Sequence, residues 1–282
     1  MEKINCYKID DNMTGKIAEV LTEVEFKMLK TGMLKGIVAF AEQTPAAHLL
    51  YQKQDESILS LEWIYVKEEY RRQGIGTELM HYFCKTVLKQ ENADLIFCFE
   101  SVGENSIFYS FLRKIPGIYI EEEEGFEAQV LKEDISDMCN KYIKQNVQPK
   151  LYFEQSKFLR GEFVKNLGKE YPLIAWEMEH DVIHFRTDLS CCMIGEEGIE
   201  AVCMIKEQGE KMELSFLYAK PKKGAIAAKV LLDSAVLFCR QQIPELYISV
   251  VHENSLKILQ HLCPEYKVVK KLYTAYYVGR EI

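Results

Sequence analysis

The sequence lacks a basic excess: 35 Lys and Arg stand against 43 Asp and Glu, a formal net charge of −8. A general nucleic-acid binder carries a basic face, so that class is excluded, although a local basic pocket is not. No apolar run approaches the roughly 20 residues needed to cross a bilayer, and the opening stretch MEKINCYKIDD lacks the basic-then-apolar order of a secretory signal. The nine cysteines, an odd number, include no C-x-x-C pair. Most sit in apolar runs, such as Cys98 in LIFCFE and Cys203 in AVCMIK, and are expected as buried thiols in a reducing compartment rather than a disulfide framework. A cytoplasmic location and no membrane or nucleic-acid partner are therefore expected. The Gly-Lys-Ser/Thr of a P-loop, the G-x-S-x-G elbow of a serine hydrolase and the H-E-x-x-H zinc pattern are also missing. His180 and His184 lie four apart without a third ligand, so no metal site is expected.

What is present is a core. Hydrophobic residues make up 48% of the 282 positions, enough for one large domain or two ordinary ones. Alternating segments predict strands at INCYKI, GIVAFAE, AHLLYQ, ILSLEWIYV and DLIFCFE. Helical periodicity runs through KIAEVLTEVEFKML, Gly76–Lys89 and Ser106–Arg113. The second half repeats the first. Leu61–Val66 matches Met212–Leu217 and Arg71-x-x-Gly74-x-Gly76 matches Lys222-x-x-Ala225-x-Ala227, both at an offset of 151 residues; Glu104–Ile107 matches Glu253–Leu256 at 149. Three matches in one order predict two similar domains, over 1–132 and 151–282, joined by a linking helix within 133–150.

The stretch VKEEYRRQGIGTELM carries the strongest chemical signal. A strand ends near Val66, a basic turn follows, and a helix begins near Gly74. The first N–H groups of a helix have no internal acceptor and point outward with the positive end of the dipole, which suits an anion. Gly74 and Gly76 carry no Cβ to hold a phosphate away, and Arg71 and Arg72 add charge. The alternative reading is a glycine-softened turn with solvated arginines. A dinucleotide fingerprint would need a third glycine where Leu79 stands.

With its flanking strand, following helix, DLIFCFE and Asn105, this stretch resembles the R/Q-x-x-G-x-G/A signature of the GNAT acyltransferase superfamily. The likeness covers roughly Gly36 to Leu131 and extends weakly through the repeat. It implies an α/β (α+β) fold of two GNAT-like domains, each a mixed, mostly antiparallel sheet flanked by helices. It also implies acetyl-CoA as co-substrate, with its pyrophosphate on Arg71, Arg72, Gln73, Gly74, Ile75, Gly76 and Thr77. The pantetheine arm would lie along Ile64–Val66, and the Val66 N–H would face the thioester oxygen.

Moving an acetyl group to an amine requires a base, since a lysine-like amine has a pKa near 10. It also requires a stabilised oxyanion and an acid for the leaving thiolate. Glu62 is the candidate base, a carboxylate in an apolar strand, expected on the face of Ile64 and Val66; a structurally paired carboxylate is the alternative. Tyr109 is the candidate acid, one helical turn beyond Asn105, against the family's usual seven residues, where Leu112 stands; a core tyrosine is the alternative. Asn105 is expected either on CoA or as a helix cap. Trp63 and Tyr65 are expected to pack beneath helices on the other face. The acidic run Glu121–Glu124 reads as a solvated hairpin or as a surface for a cationic acceptor. The second half, with alanines and lysines in its loop, reads as a decayed copy. The expected activity is an N-acetyltransferase acting on a small-molecule or peptide amine; the rival is a non-catalytic CoA-binding or interaction module.

Overall fold

The computed structural model describes residues 4–10, 13–134, 141–142, 148–180, 185–209, 211–221, 224–241, 245–251 and 253–278. The chain divides into two compact units, Met1–Glu123 with Leu272–Ile282, and Glu124–Lys271. The last eleven residues thus belong with the first unit, whereas the sequence grouped them with the second. The linking helix expected over 133–150 lies largely outside the described residues, as do His184, Lys222 and Lys223.

The first unit runs β1 (Ile4–Lys8), α1 (Thr14–Ile17), α2 (Glu23–Lys30), β2 (Lys35–Ala41), β3 (Thr44–Asp55) and β4 (Ile58–Val66). Then come α3 (Ile75–Tyr82), a wide turn over Phe83–Val87, α4 (Leu88–Glu91), β5 (Asp94–Ser101) and α5 (Ile107–Leu112). Positions 119–123 of β6 (Tyr119–Leu131) and 272–277 of β11 (Lys267–Tyr277) complete it. Its strand order is β1-β2-β3-β4-β5, then β11, then β6. Apolar alternation explains the core: Ile37, Leu49, Tyr51, Leu59 and Leu61 turn one face of the sheet toward Ile75, Leu79, Phe83 and Val87 of the α3 helix and its continuation.

The second unit contains α6 (Lys157–Leu167), α7 (Pro172–His180), β7 (Cys191–Gly195), β8 (Gly198–Gln208), β9 (Lys211–Ala219), α8 (Gly224–Arg240), β10 (Glu245–Val250) and α9 (Glu253–Leu262). Its strands run β11-β6-β10-β9-β8-β7, using 267–271 and 124–131 of the shared strands. In both units the three-stranded meander is antiparallel, and a single parallel pair follows it, β4–β5 in one and β9–β10 in the other.

The repeat is written into the ladders. Between β2 and β3 the register shifts so that Ala46 is skipped; between β7 and β8 it skips Glu200. Between β3 and β4 it shifts after Leu50↔Trp63 and skips Glu62; between β8 and β9 it shifts after Met204↔Phe216 and skips Ser215. Just past the strands, the Lys67 N–H donates to the Ala46 carbonyl (2.9 Å) and the Lys220 N–H to the Glu200 carbonyl (2.8 Å). Two irregularities at corresponding places correct the strand match by two residues. Trp63 corresponds to Phe216, an offset of 153, and Ser215 stands where Glu62 does. Glu213 answers to Ser60.

Three local expectations are corrected. Trp63 and Tyr65 are 42% and 40% exposed rather than packed under helices. Cys98 is exposed, its Sγ 3.4 Å from Thr274 Oγ1, because the apolar run LIFCFE alternates its faces. Glu121–Glu124 form an extended, solvent-facing part of β6 rather than a hairpin, with the Tyr276 hydroxyl donating to Glu121 (2.9 Å).

A buried polar pair ties α2 to the sheet. Thr22 caps α2 by accepting from the Glu25 N–H (3.2 Å), and Glu25 Oε2 accepts from the Thr22 N–H (2.6 Å). Glu25 Oε1 lies 3.1 Å from His48 Nε2 on β3, and both side chains are buried. Burial pushes the Glu25 carboxyl up, but the His48 and Thr22 contacts outweigh it and hold the carboxyl below its ordinary range. A depressed folded value means stability that is present above the unfolded carboxylate range and lost as pH falls through the folded value. Glu25→Ala removes the reciprocal half of the capping box and the partner of His48 together, and a loss of about 2–3 kcal/mol is expected in urea unfolding at pH 7. Below a pH of about 4 the gap to wild type is to narrow. A gap that stays constant from pH 7 to pH 3 would show that the carboxylate charge contributes nothing.

Candidate active site

The site starts from a divergence of strands. β4 and β5 pair only at Ile58↔Asp94 and Leu59↔Leu95. From Ser60 to Val66 the β5-facing edge of β4 has no partner in the ladder, while its other edge stays paired to β3 as far as Val66. Unpaired backbone groups along a cleft are ready acceptors and donors for an extended ligand. Ile64 and Val66 are half-buried beside it, packed against the α3 core cluster.

The cleft leads to the glycine loop. After β4 the chain makes a short 3₁₀ turn, Glu68–Tyr70, and then enters two left-handed residues, Arg72 (φ 63°) and Gly74 (φ 85°). Gly74 is the N-cap of α3, and a Cβ there would meet nothing within 4 Å, so its surroundings are open. Backbone conformation demands the glycine at 74. At Gly76 a Cβ would lie 3.4 Å from Phe111 and 3.5 Å from Val66, ordinary contact distances, so 76 could accept alanine. The Glu78 N–H is bonded to the Gly74 carbonyl (3.0 Å) in the helix's first turn, which leaves Ile75, Gly76 and Thr77 without intrahelical acceptors for their N–H groups. Free donors of this kind, with the helix dipole behind them, suit an anion. The charged side chains are at its rim: Arg71 Nε donates to the Val66 carbonyl (3.0 Å), with Nη1 3.4 Å from Glu68, and Gln73 Nε2 donates to the Glu69 carbonyl (2.8 Å). Arg71, Arg72 and Gln73 are exposed.

Glu62 is the residue that the β3–β4 register skips. Its Oε1 accepts from Gln52 Nε2 at 2.8 Å. Gln52 alternates with Tyr51, which faces α3, so the bond draws the carboxylate to the opposite face, that of Leu50 and Trp63. Counting by twos had put it with Ile64 and Val66; the skipped residue reverses the count. That partner, Gln52, is a neutral amide. Glu213, by contrast, lies between two lysines, 3.6 Å from Lys206 and 3.7 Å from Lys211.

Tyr109 sits on the buried side of α5 at 8% exposure, its ring 5.1 Å from Tyr273 and 6.3 Å from Phe99. Phe99 is on β5, and Tyr273 comes from the end of the chain. That neighbour was invisible to a reading that stopped at local motifs. Asn105 is exposed and is not the cap: Ser106 caps α5, its Oγ accepting from the Tyr109 N–H (3.3 Å). Leu112 is fully buried. His180 is accounted for locally, its Nδ1 donating to the Trp176 carbonyl (2.9 Å) and its ring stacked on Trp176.

The second unit departs at the loop. Eight residues, 67–74, separate β4 from α3, but only four, 220–223, separate β9 from α8. Ala225 and Ala227 therefore belong to the helix α8, not to a loop before it. The strand divergence is retained, since β9 and β10 pair only at Glu213↔Tyr247 and Leu214↔Ile248.

Residues 10–109 match the sequence model of the Acetyltransferase (GNAT) family. No curated protein matches the chain. Among solved structures, a tandem GNAT protein from the clavulanic acid biosynthesis pathway is similar over 99% of this chain and 100% of its own, with a TM-score of 0.60 and 9% identity. A GNAT-family acetyltransferase from Colwellia psychrerythraea is similar over 97% of this chain and 99% of its own, at TM-score 0.55 and 11% identity. A GCN5-related N-acetyltransferase from Sphaerobacter thermophilus covers 99% and 96% at TM-score 0.51, again with 11% identity. Two meanders with matching irregularities and these likenesses show a GNAT-like fold in tandem, and the match to the GNAT family's sequence model lies within the first unit.

Proposed function

We propose that the chain is an acetyl-CoA-dependent N-acyltransferase whose chemistry resides in the first unit. The observation that carries this reading is the continuity of the β4–β5 divergence with the Gly74 loop: an open backbone edge leading to three unpaired helix N–H groups and two arginines. The pyrophosphate of CoA would lie on the N–H groups of Ile75, Gly76 and Thr77, flanked by Arg71, Arg72 and Gln73. The pantetheine arm would follow Ile64–Val66, with Asn105 at the edge of the cofactor site. In this reading Arg71 leaves the Val66 carbonyl when the cofactor arrives.

The acceptor enters as an ammonium. Glu62, held by a neutral donor rather than by a lysine, takes its proton. The amine nitrogen bonds to the acetyl carbonyl carbon, the carbonyl oxygen's charge is met by the Val66 N–H, and the C–S bond breaks with its electron pair on sulfur while the nitrogen sheds its second proton, which balances the one the thiolate receives. Tyr109 is the proton donor assigned to that thiolate; its ring packs on Phe99 of β5, one wall of the cleft. No metal takes part in this scheme. The shortened loop of the second unit supports a shaping role for 151–282 rather than a second cofactor site. Cysteines that are unbonded, including Cys191 directly opposite Cys203 in the β7–β8 ladder, suit a reducing compartment such as the cytoplasm. A rival reading, a CoA-binding module without turnover, draws on the burial of Tyr109.

Gly74→Glu puts a carboxylate where the phosphates would sit, and calorimetry is expected to detect no acetyl-CoA binding to the folded variant. Gly76→Ala is expected to bind within about threefold of wild type, since its Cβ is accommodated. Undiminished affinity in Gly74→Glu would remove the loop from the cofactor site. Glu62→Gln is expected to lower kcat by about 10²–10⁴-fold at pH 7, with little change in CoA affinity and a smaller loss at high pH, where more amine is already neutral. Wild-type turnover in this variant would return Glu62 to a structural role. Acetyl-CoA binding without transfer to any amine in a broad acceptor panel would favour the rival.

A further inference from the structure

The two units treat one pair of side chains differently. Trp63 and Tyr65 stand two apart on β4, on the face away from the Ile64 and Val66 cluster, and both rings are substantially exposed. The shared register puts Phe216 and Tyr218 at the same places on β9: Trp63 is opposite Leu50 and Tyr65 opposite His48, as Phe216 is opposite Met204 and Tyr218 opposite Val202. In the second unit this pair is covered. The rings of Phe216 and Tyr218 stack at 5.9 Å and 11°. Tyr171, the residue before α7, sets its ring edge-on to both, at 5.5 and 6.1 Å, and Phe163 of α6 meets Tyr218 edge-on at 5.9 Å.

Among the described residues, the first unit lacks that cover for a reason visible in its helices. α1 has four residues where α6 has eleven. The residue before α2 is Thr22, a small side chain already engaged in the capping box with Glu25. Tyr65 has the His48 ring at 5.6 Å and the Arg71 guanidinium at 6.0 Å, neither from α1 or α2. The Glu62 carboxylate is drawn to this same face by Gln52. An aromatic place that one copy fills with its own tyrosine is left open in the other, beside a carboxylate.

We infer that Trp63 and Tyr65 form the acceptor subsite of the first unit, and that the acceptor is a primary amine carried on an aromatic ring, the ring seated where Tyr171 sits in the second unit. The inference rests on the transferase reading above and names its substrate class. The ring would meet Trp63 and Tyr65 edge-to-face, the geometry aromatic pairs favour. The ammonium, one short alkyl link away, would reach Glu62. A purely aliphatic amine would gain the charge contact but not the ring contacts.

The test uses the full chain, 2-phenylethylamine and hexylamine, each titrated with and without saturating CoA. Trp63 is one of two tryptophans, and the other, Trp176, is 6% exposed, so the intrinsic fluorescence reports on the subsite. A saturable fluorescence change is expected with 2-phenylethylamine, absent in Trp63→Phe, with affinity about tenfold above that for hexylamine. By calorimetry, Tyr65→Ala is to reduce that preference to about threefold or less. Equal or tighter binding of hexylamine overturns the inference, as does the absence of saturable 2-phenylethylamine binding in both CoA states. Acetyl-CoA binding is measured in the same preparation. If it persists while the aromatic amine fails, the acceptor assignment falls and the transferase reading stands; if acetyl-CoA does not bind, the transferase reading falls.

Discussion

One skipped residue in the β3–β4 ladder shapes the first unit's candidate site. With Glu62 out of register, Leu61 before it and Ile64 and Val66 after it keep their apolar side chains on the α3 core, while its own carboxylate is carried to the other face and held by Gln52. Beyond the shift, β4 runs free of β5, and the backbone edge so exposed ends at the glycine loop. A carboxylate at the rim of an apolar sheet is costly unless hydrogen-bonded, and Gln52 meets that need without neutralising the charge. The same skip in the second unit falls on Ser215, a residue with no charge to deliver. The ladder geometry is thus common to both copies, and the side chain placed at the irregularity differs.

The two copies also diverge at the helix mouth. Eight loop residues allow the first unit to turn through Arg72 and Gly74 in left-handed conformation, at a cost of about 1 kcal/mol for the arginine. Four residues in the second unit lead directly into α8. Strain at a non-glycine residue persists where surroundings impose it, and here it accompanies the turn that opens the helix N-terminus. The second unit, relieved of that loop, carries longer helices over its aromatic pair and fills the place with Tyr171.

Much of this was legible in the sequence. The alternating segments, the G-x-G turn at a helix start and the existence of a repeat all follow from local pattern, because strand and helix periods are local properties. What escaped were the consequences of pairing. A skipped residue leaves no mark in composition, so counting by twos puts Glu62 on the wrong face and matches it to Glu213. Trp63 and Tyr65 look like core residues in an apolar strand, yet both are exposed in a unit whose first helix has only four residues. Tyr273 reaches Phe99 and Tyr109 from the far end of the chain, a contact no local motif could announce. The Glu25–His48 pair was missed although T-x-x-E before an apolar run is a capping-box signal.

In the proposed function one copy, and only one, holds the cofactor. Amide hydrogen exchange with and without saturating acetyl-CoA, read alongside the calorimetric stoichiometry, tests it directly. One acetyl-CoA per chain is expected, with new protection at Ile75, Gly76 and Thr77 and along Ile64–Val66, and none at the start of α8. Two per chain, or protection confined to residues 217–228, would contradict the account.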